Sequence, residues 1–127
     1  MIEIDRDTLQ AIMDRSREFH AREDVSIPDV RMSPTDDWAV QVLADHVDNP
    51  VYNELGSIID DLEPDQQVSL VALMWVGRGD YDASEWQDAL RYAAEAHNER
   101  TAEYLIATPL LAEYLREGLD AIDALEE

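Results

Sequence analysis

Three histidines, His20, His46 and His97, are the side chains here best suited to moving a proton near neutral pH. No two lie four residues apart, so no helix face offers a pair of imidazoles to zinc. The chain has no cysteine, which removes thiolate metal sites, thiol nucleophiles and disulfides together. His97 falls on an apolar stripe, next to Asn98 and within a turn of Arg100. A pocket histidine beside an arginine is an arrangement for proton transfer next to a bound anion. The plainer reading of His97 is a core histidine hydrogen-bonded to a carboxylate or a backbone group.

Glu95, Glu99 and Glu103 recur at i, i+4 and i+8. Stacked carboxylates can chelate Mg²⁺, with Asp60-Asp61 as the other half on a facing helix, but the same spacing also describes a solvated acidic face. Phosphate chemistry on such a cluster needs bases, and only Arg91 and Arg100 are near. Asp80-Tyr81-Asp82-Ala83-Ser84 starts like a calcium loop, yet Glu85 stands where glycine is required and Arg91 where the closing glutamate is required. Arg78-Gly79-Asp80 spells the integrin-adhesion tripeptide and reads as a glycine-punctuated turn between helices. Gly77 and Gly79 have no preceding strand and no third glycine, so they form no dinucleotide loop. The expectation is no metal and no cofactor. His97, Arg100, Trp75, Arg78 and Asp80 remain as candidate pocket residues.

These residues sit in a pattern that is helical throughout. Residues 1–127 read as one compact all-α domain of about six helices, an irregular bundle with no alternating strand pattern. A first helix capped by Asp5 puts Leu9, Ile12, Met13 and Phe19 on one face and fades near Asp24 into a connector containing Pro28. Ser33-Pro34 opens a second, with Trp38, Val42 and Leu43. Asn49-Pro50 starts a third, with Val51, Leu55, Ile58, Ile59 and Leu62. Pro64 opens a fourth, over about 64–77, whose body from Val68 to Val76 is apolar nearly all round; such a helix belongs at the centre of a fold. Gly77 reads as its left-handed stop. A long fifth helix from Ala83 to Ala107, capped by Asp82, carries Trp86, Leu90, Ala93, His97, Thr101 and Tyr104 on one stripe, and Trp86, like Trp38 and Trp75, reads as a core anchor. Thr108-Pro109 starts the last, Leu110 to Leu125, with Leu111, Leu115, Ile122 and Leu125 opposite a charged face.

Three stretches stand out as a set: Asp48-Asn49-Pro50-Val51-Tyr52-Asn53-Glu54-Leu55, Leu70-Val71-Ala72-Leu73-Met74-Trp75-Val76-Gly77-Arg78-Gly79-Asp80, and Ala96-His97-Asn98-Glu99-Arg100-Thr101-Ala102-Glu103-Tyr104-Leu105 running into Thr108-Pro109-Leu110-Leu111. Together they resemble a proteobacterial family known as domain of unknown function 3775. The resemblance implies a small helical bacterial protein and carries no activity with it.

The charge is lopsided: 30 acids against nine bases give a formal net charge of −21 over 127 residues, and every base is arginine. Between Arg31 and Arg78 no positive side chain occurs, so the middle of the chain is its acidic pole. This argues against binding to nucleic acid or an anionic membrane surface. No cationic, apolar leader and no stretch of roughly twenty apolar residues is present, so the expected setting is the cytoplasm. The leading functional expectation is a non-catalytic protein that binds another protein, or a homodimer paired through the C-terminal helix, where Leu110, Tyr114 and Leu119 widen the apolar face. A small enzyme or ligand-binding domain with a pocket near His97 and Arg100 is the alternative. An acidic mimic of nucleic acid, using residues 34–65 against a basic protein, is the third.

Such an excess of carboxylates destabilises the compact state by self-repulsion, which salt screens. If the composition is an adaptation to a salt-rich interior, the melting temperature rises steeply from dilute buffer to molar KCl. A flat response in a thermal scan counts against it.

Overall fold

The computed structural model describes residues 4–22, 49–98, 101–108 and 110–126. All regular structure among them is helical: α1 (Arg6–Arg22), α2 (Pro50–Asp60), α3 (Pro64–Arg78), a 3₁₀ turn (Ala83–Glu85), α4 (Trp86–Ala96), α5 (Thr101–Ile106) and α6 (Leu111–Glu126). The expected helix at 34–47, the connector before it and His46 lie outside the described residues.

Local chemistry explains most of the starts. Thr8 donates from its backbone N–H to the Asp5 carboxylate at the head of α1. Asn49 Oδ1 accepts from Val51 N at 2.8 Å and Tyr52 N at 3.2 Å, with Pro50 in the first helical position, where its missing N–H costs nothing. At the head of α3, Glu63 N donates to Gln66 Oε1 at 2.8 Å, and Asp82 N makes the equivalent bond to Glu85 Oε1 at 3.0 Å before the 3₁₀ turn. Thr108 behaves otherwise: its hydroxyl donates back to Tyr104 O at 3.1 Å, and only its carbonyl reaches α6, accepting from Leu111 N.

In α3 the run Ser69 to Val76 is buried without interruption. It shares one apolar cluster with Leu9, Ile12 and Phe19 of α1, Leu55 and Ile59 of α2, Trp86 and Ala93 of α4, Tyr104 to Ala107, and Leu111, Leu115 and Ile122 of α6; α4 and α6 pack directly on α3, while α1 lies against α2 and α6. Full burial of each large side chain contributes about 1.5–3 kcal/mol.

Two expectations change. Gly77 does not end α3. The helix runs on to Arg78, and Gly79 takes the left-handed position at φ 93°, with Asp80 N donating to Trp75 O. Gly77 is spent on packing instead. A Cβ there would lie 1.6 Å from Tyr114 O, and one on Gly118 would lie 2.3 Å from Leu73 O and 3.2 Å from Gly77 N. The segments 73–77 and 114–118 thus pass antiparallel with their backbones in contact.

The long helix expected from Ala83 to Ala107 is broken. His97 is extended (φ −64°, ψ 132°), and α5 starts afresh at Thr101. Asn98 and Thr101 close their own local network: Asn98 N donates to Thr101 Oγ1, and that hydroxyl donates to Asn98 O at 2.9 Å. This competes with the helical bonding of the same groups. In α6, Leu111, Leu115 and Ile122 are buried as expected, whereas Leu125 is 51% exposed.

The arginines of α1 reach outward to carboxylates on other helices. Arg6 grips Asp123 of α6 with both Nη atoms, at 2.7 and 3.1 Å, and this hydrogen bonding holds the Asp123 carboxyl below the usual range. Arg15 Nε bonds Glu54 of α2 at 2.7 Å, and Arg17 Nε meets Glu113 of α6 at 3.5 Å. Such exposed pairs are screened by water and add little to stability.

The four glycines are expected to separate in urea unfolding. Gly77→Ala and Gly118→Ala should each cost about 3 kcal/mol or more, because backbone must move to admit the methyl group. Gly79→Ala costs about 1 kcal/mol for its left-handed conformation. Gly56→Ala, whose Cβ would meet only Ile106 Cδ1 at 3.9 Å, is neutral or stabilising by up to about 1 kcal/mol.

Candidate functional site

The structure gathers three of the five candidate residues and leaves one apart. At the C-terminal end of α3, Trp75 Nε1 donates to the buried Tyr104 hydroxyl at 3.0 Å. Arg78 folds over the turn onto Asp80, with Nη2 and Nε at 2.6 and 2.8 Å from Oδ2. Both side chains are largely covered, 17% and 14% exposed, so this pair is shielded from solvent as the pairs of α1 are not. Burial pulls the Arg78 guanidinium down, but Tyr104 and Asp80 outweigh it and its pKa ends above the ordinary value. The tripeptide Arg78-Gly79-Asp80 is therefore a closed internal clasp, with its charges turned to each other.

From this cluster a row of rings leads to the surface. Trp75 stacks on Tyr81 at 6.0 Å between centroids, Tyr81 on Tyr92 at 6.1 Å, and the Arg91 guanidinium lies 5.2 Å over the Tyr92 ring. Tyr92 is 45% exposed, and Asp82, Glu85 and Asp88 stand exposed around the row. Burial, with Tyr92 and the nearby carboxylates, pushes the Tyr81 phenol up, so it stays protonated.

His97 belongs to the other end of α3. Its Nε2 donates to Gln67 Oε1 at 2.7 Å, and Gln67 Nε2 donates in turn to Ile59 O at 3.0 Å. The imidazole thus ties the end of α4 through Gln67 to α2; it is half-buried, and its partner is a side-chain amide where a carboxylate or a backbone group was expected. With eight residues of helix between Gln67 and Trp75, about 12 Å of rise separates His97's partner from the Trp75–Arg78–Asp80 cluster. Arg100 lies outside the described residues. His20 is likewise a tie, with Nε2 donating to Ile106 O at 2.8 Å.

The break at His97 also undoes the carboxylate stack, since Glu95 lies in the last turn of α4 while Glu103 rides on α5. Glu103 instead faces α2 across a cleft of about 250 Å³ lined by Tyr52, Asn53, Gly56, Ser57, Asp60, Ala102, Glu103 and Ile106. One acid of the proposed facing pair, Asp60, is thus brought to Glu103, while Asp61 caps α2 outside the cleft. Glu103 Oε2 is buried and accepts no hydrogen bond among the described residues. An unmet buried acceptor of this kind costs about 1–3 kcal/mol, more when charged. Burial, with the negative charges of Glu103 and Asp60, pushes the Tyr52 phenol up, so a neutral hydroxyl faces the two carboxylates. Among the described residues no three His, Cys, Asp or Glu side chains converge as a metal site. Sequence reasoning missed Tyr52, Asn53 and Ser57. The signal available was the pairing of acidic positions around 60 and 103, which needed the helix break before it pointed to a place.

Fold and clefts define an all-α protein whose polar groups are mostly occupied in holding helices together. The chain belongs to the family described as protein of unknown function (DUF3775), whose model matches residues 52–124, from the first turn of α2 to near the end of α6. The three stretches that carry the resemblance fall within that span or at its edge. Neither the curated proteins nor the solved structures contain a match to the chain.

Tyr104 is the hub of the covered cluster, which makes it the residue to test. Tyr104→Phe leaves the Trp75 indole N–H buried without this acceptor and should lower unfolding free energy by about 1–3 kcal/mol in urea. Tyr92→Phe, at the exposed end of the same row, should stay within about 0.5 kcal/mol of the parent.

Proposed function

We propose that the protein works without catalysis, by presenting an acidic helical surface to a basic protein partner. The observation that carries this reading is the way the fold disposes of its positive charge. Of the six arginines whose side chains are described, five (Arg6, Arg15, Arg17, Arg78 and Arg91) are bonded to carboxylates of the same chain, and the sixth, Arg116, is exposed on α6. Most of the remaining described acids are exposed, and a surface of that kind attracts a positively charged one and sets the rate of encounter. The row ending at Tyr92, with Asp82, Glu85 and Asp88 around it, supplies an aromatic anchor within that field, and aromatic residues are enriched where interfaces hold.

A homodimer through α6 has less behind it. Leu111, Leu115 and Ile122 are taken up by the core, Tyr114 and Leu119 pack partly against it, and the half-exposed Leu110 and Leu125 lie near opposite ends of the helix. The pocket near His97 and Arg100 has no described cavity behind it, and His97 is occupied by Gln67. No helix among the described residues is long and apolar enough to cross a membrane. A bacterial cytoplasm is the setting that completes the proposal, since a salt-rich interior screens the acidic surface's self-repulsion.

The test is photo-cross-linking in cells from a photoreactive residue at position 92, followed by binding of the identified partner to purified protein. The expected partner is basic, its affinity falls steeply with KCl, and the combined Asp82→Asn, Glu85→Gln and Asp88→Asn variant binds it at least about tenfold more weakly. Competition by duplex DNA for the same partner narrows the reading to nucleic-acid mimicry. An acidic partner, or one indifferent to salt and to the variant, overturns the proposal.

A further inference from the structure

We infer that the basic partner proposed above engages Tyr92 through an arginine, whose place the chain's own Arg91 holds until then. This rests on the acidic-surface reading and deepens it: the side chain accepted there is a guanidinium, not an ammonium.

Tyr92 is an exposed ring whose orientation is set from below. It stacks on Tyr81 at 6.1 Å and 27°, and Tyr81 stacks on Trp75 at 6.0 Å and 29°. Trp75 is fixed in turn by its bond to the buried Tyr104 hydroxyl at 3.0 Å. A ring held in this way loses little freedom when a ligand settles on it. Tyr92 is nonetheless 45% exposed, so its outer part is open to a partner.

A guanidinium already sits there. Arg91 Cζ lies 5.2 Å over the Tyr92 ring, and Arg91 Nη2 donates to Asp88 Oδ1 at 3.1 Å. The chain thus displays the chemistry that the position accepts, a flat cation over a ring with a carboxylate at its edge. The hold is weak. The Arg91 side chain is 61% exposed and that of Asp88 51%, and an ion pair this open is screened by water. Arg78 differs, since its bond to Asp80 is covered and closes a turn. Asp88 and Tyr92 both lie on α4 with Arg91, so the departure of Arg91 from them unties no other helix. A partner's arginine then finds the ring and the carboxylate both vacated.

The same surroundings select among ligands. Asp88 and Glu85 lie near enough to the Tyr81 hydroxyl to act on it electrostatically, so a phosphate or carboxylate is repelled here. A lysine ammonium is compact and strongly hydrated. A guanidinium is planar and less hydrated, and it stacks on a ring while its edge donates to a carboxylate.

The test is titration of the full chain with two peptides of equal charge, acetylated and amidated tetra-arginine and tetra-lysine, in about 0.1 M KCl. Calorimetry gives the affinities, and NMR follows the Tyr92 ring. The arginine peptide is expected to bind about two- to fivefold more tightly and to shift the ring signals. Tyr92→Leu removes this preference, whereas Tyr92→Phe, which keeps the ring, retains it. Arg91→Gln strengthens arginine binding beyond the effect of Arg116→Gln, an equal change of charge at an exposed position of α6. Should Tyr92→Leu fail to fold by circular dichroism, Asp88→Asn carries the comparison and weakens the arginine peptide more than the lysine one. Equal binding of the two peptides, or an arginine preference that these variants leave intact, overturns the inference and leaves the acidic-surface reading standing. Arg91→Gln behaving as Arg116→Gln overturns the place-holding role. Failure of both peptides to bind even in dilute buffer overturns the inference and the acidic-surface reading together.

Discussion

Two glycines let the backbones of α3 and α6 touch, and that contact positions much of what surrounds it. Gly77 lies against the peptide at Tyr114 and Gly118 against that at Leu73, an arrangement no side chain permits. Helix axes normally stay 8–10 Å apart because side chains interdigitate between them. Here the close approach lets α6 deliver Leu111, Leu115 and Ile122 deeply enough to cover α3. It also carries α3 one residue beyond Gly77, which sets Arg78 at the helix end and Asp80 just past the turn, in reach of each other.

Around this apolar framework the polar groups serve mostly as ties. His20, His97, Gln67, Trp75 and Tyr104 each bond across elements, and the Arg78–Asp80 clasp closes the turn. The first helix has a second role. It holds four arginines against three acids, and three of those arginines reach carboxylates on α2 and α6. Most of the described positive charges are thus spent close to home, and the field outside is dominated by carboxylates.

The interruption at His97 and Asn98 has the largest structural consequence. A continuous helix would have put Glu95 and Glu103 on one face and His97 among apolar neighbours. The local bonds of Asn98 and Thr101 end it instead. Glu103 then turns toward α2 and meets Asp60 and Tyr52 across a cleft, while His97 swings to Gln67. One short-range competition between side-chain and helical hydrogen bonding thus dissolves one candidate site and opens a cleft elsewhere.

Much of this protein is readable in its amino-acid order, because the signals involved act over a few residues. Asn49 before Pro50, Glu63 with Gln66, and Asp82 with Glu85 mark helix starts through contacts three residues long or less. The apolar spacing of Leu9, Ile12, Met13 and Phe19 names a buried face for the same reason. The all-α class, the acidity and the lack of thiol chemistry follow from composition and periodicity alone. Gly77 shows where that legibility ends. A glycine near the end of an apolar helix and before a turn satisfies the local rule for a stop as well as Gly79 does. Only the arrival of Tyr114, 37 positions along the chain, decides between them. The cleft has the same origin: Tyr52, Asp60 and Glu103 are unremarkable singly, and their meeting depends on where a short helix lands after a break. Contacts made through space by distant segments leave no period in the sequence, so tertiary structure alone could bring those three side chains together.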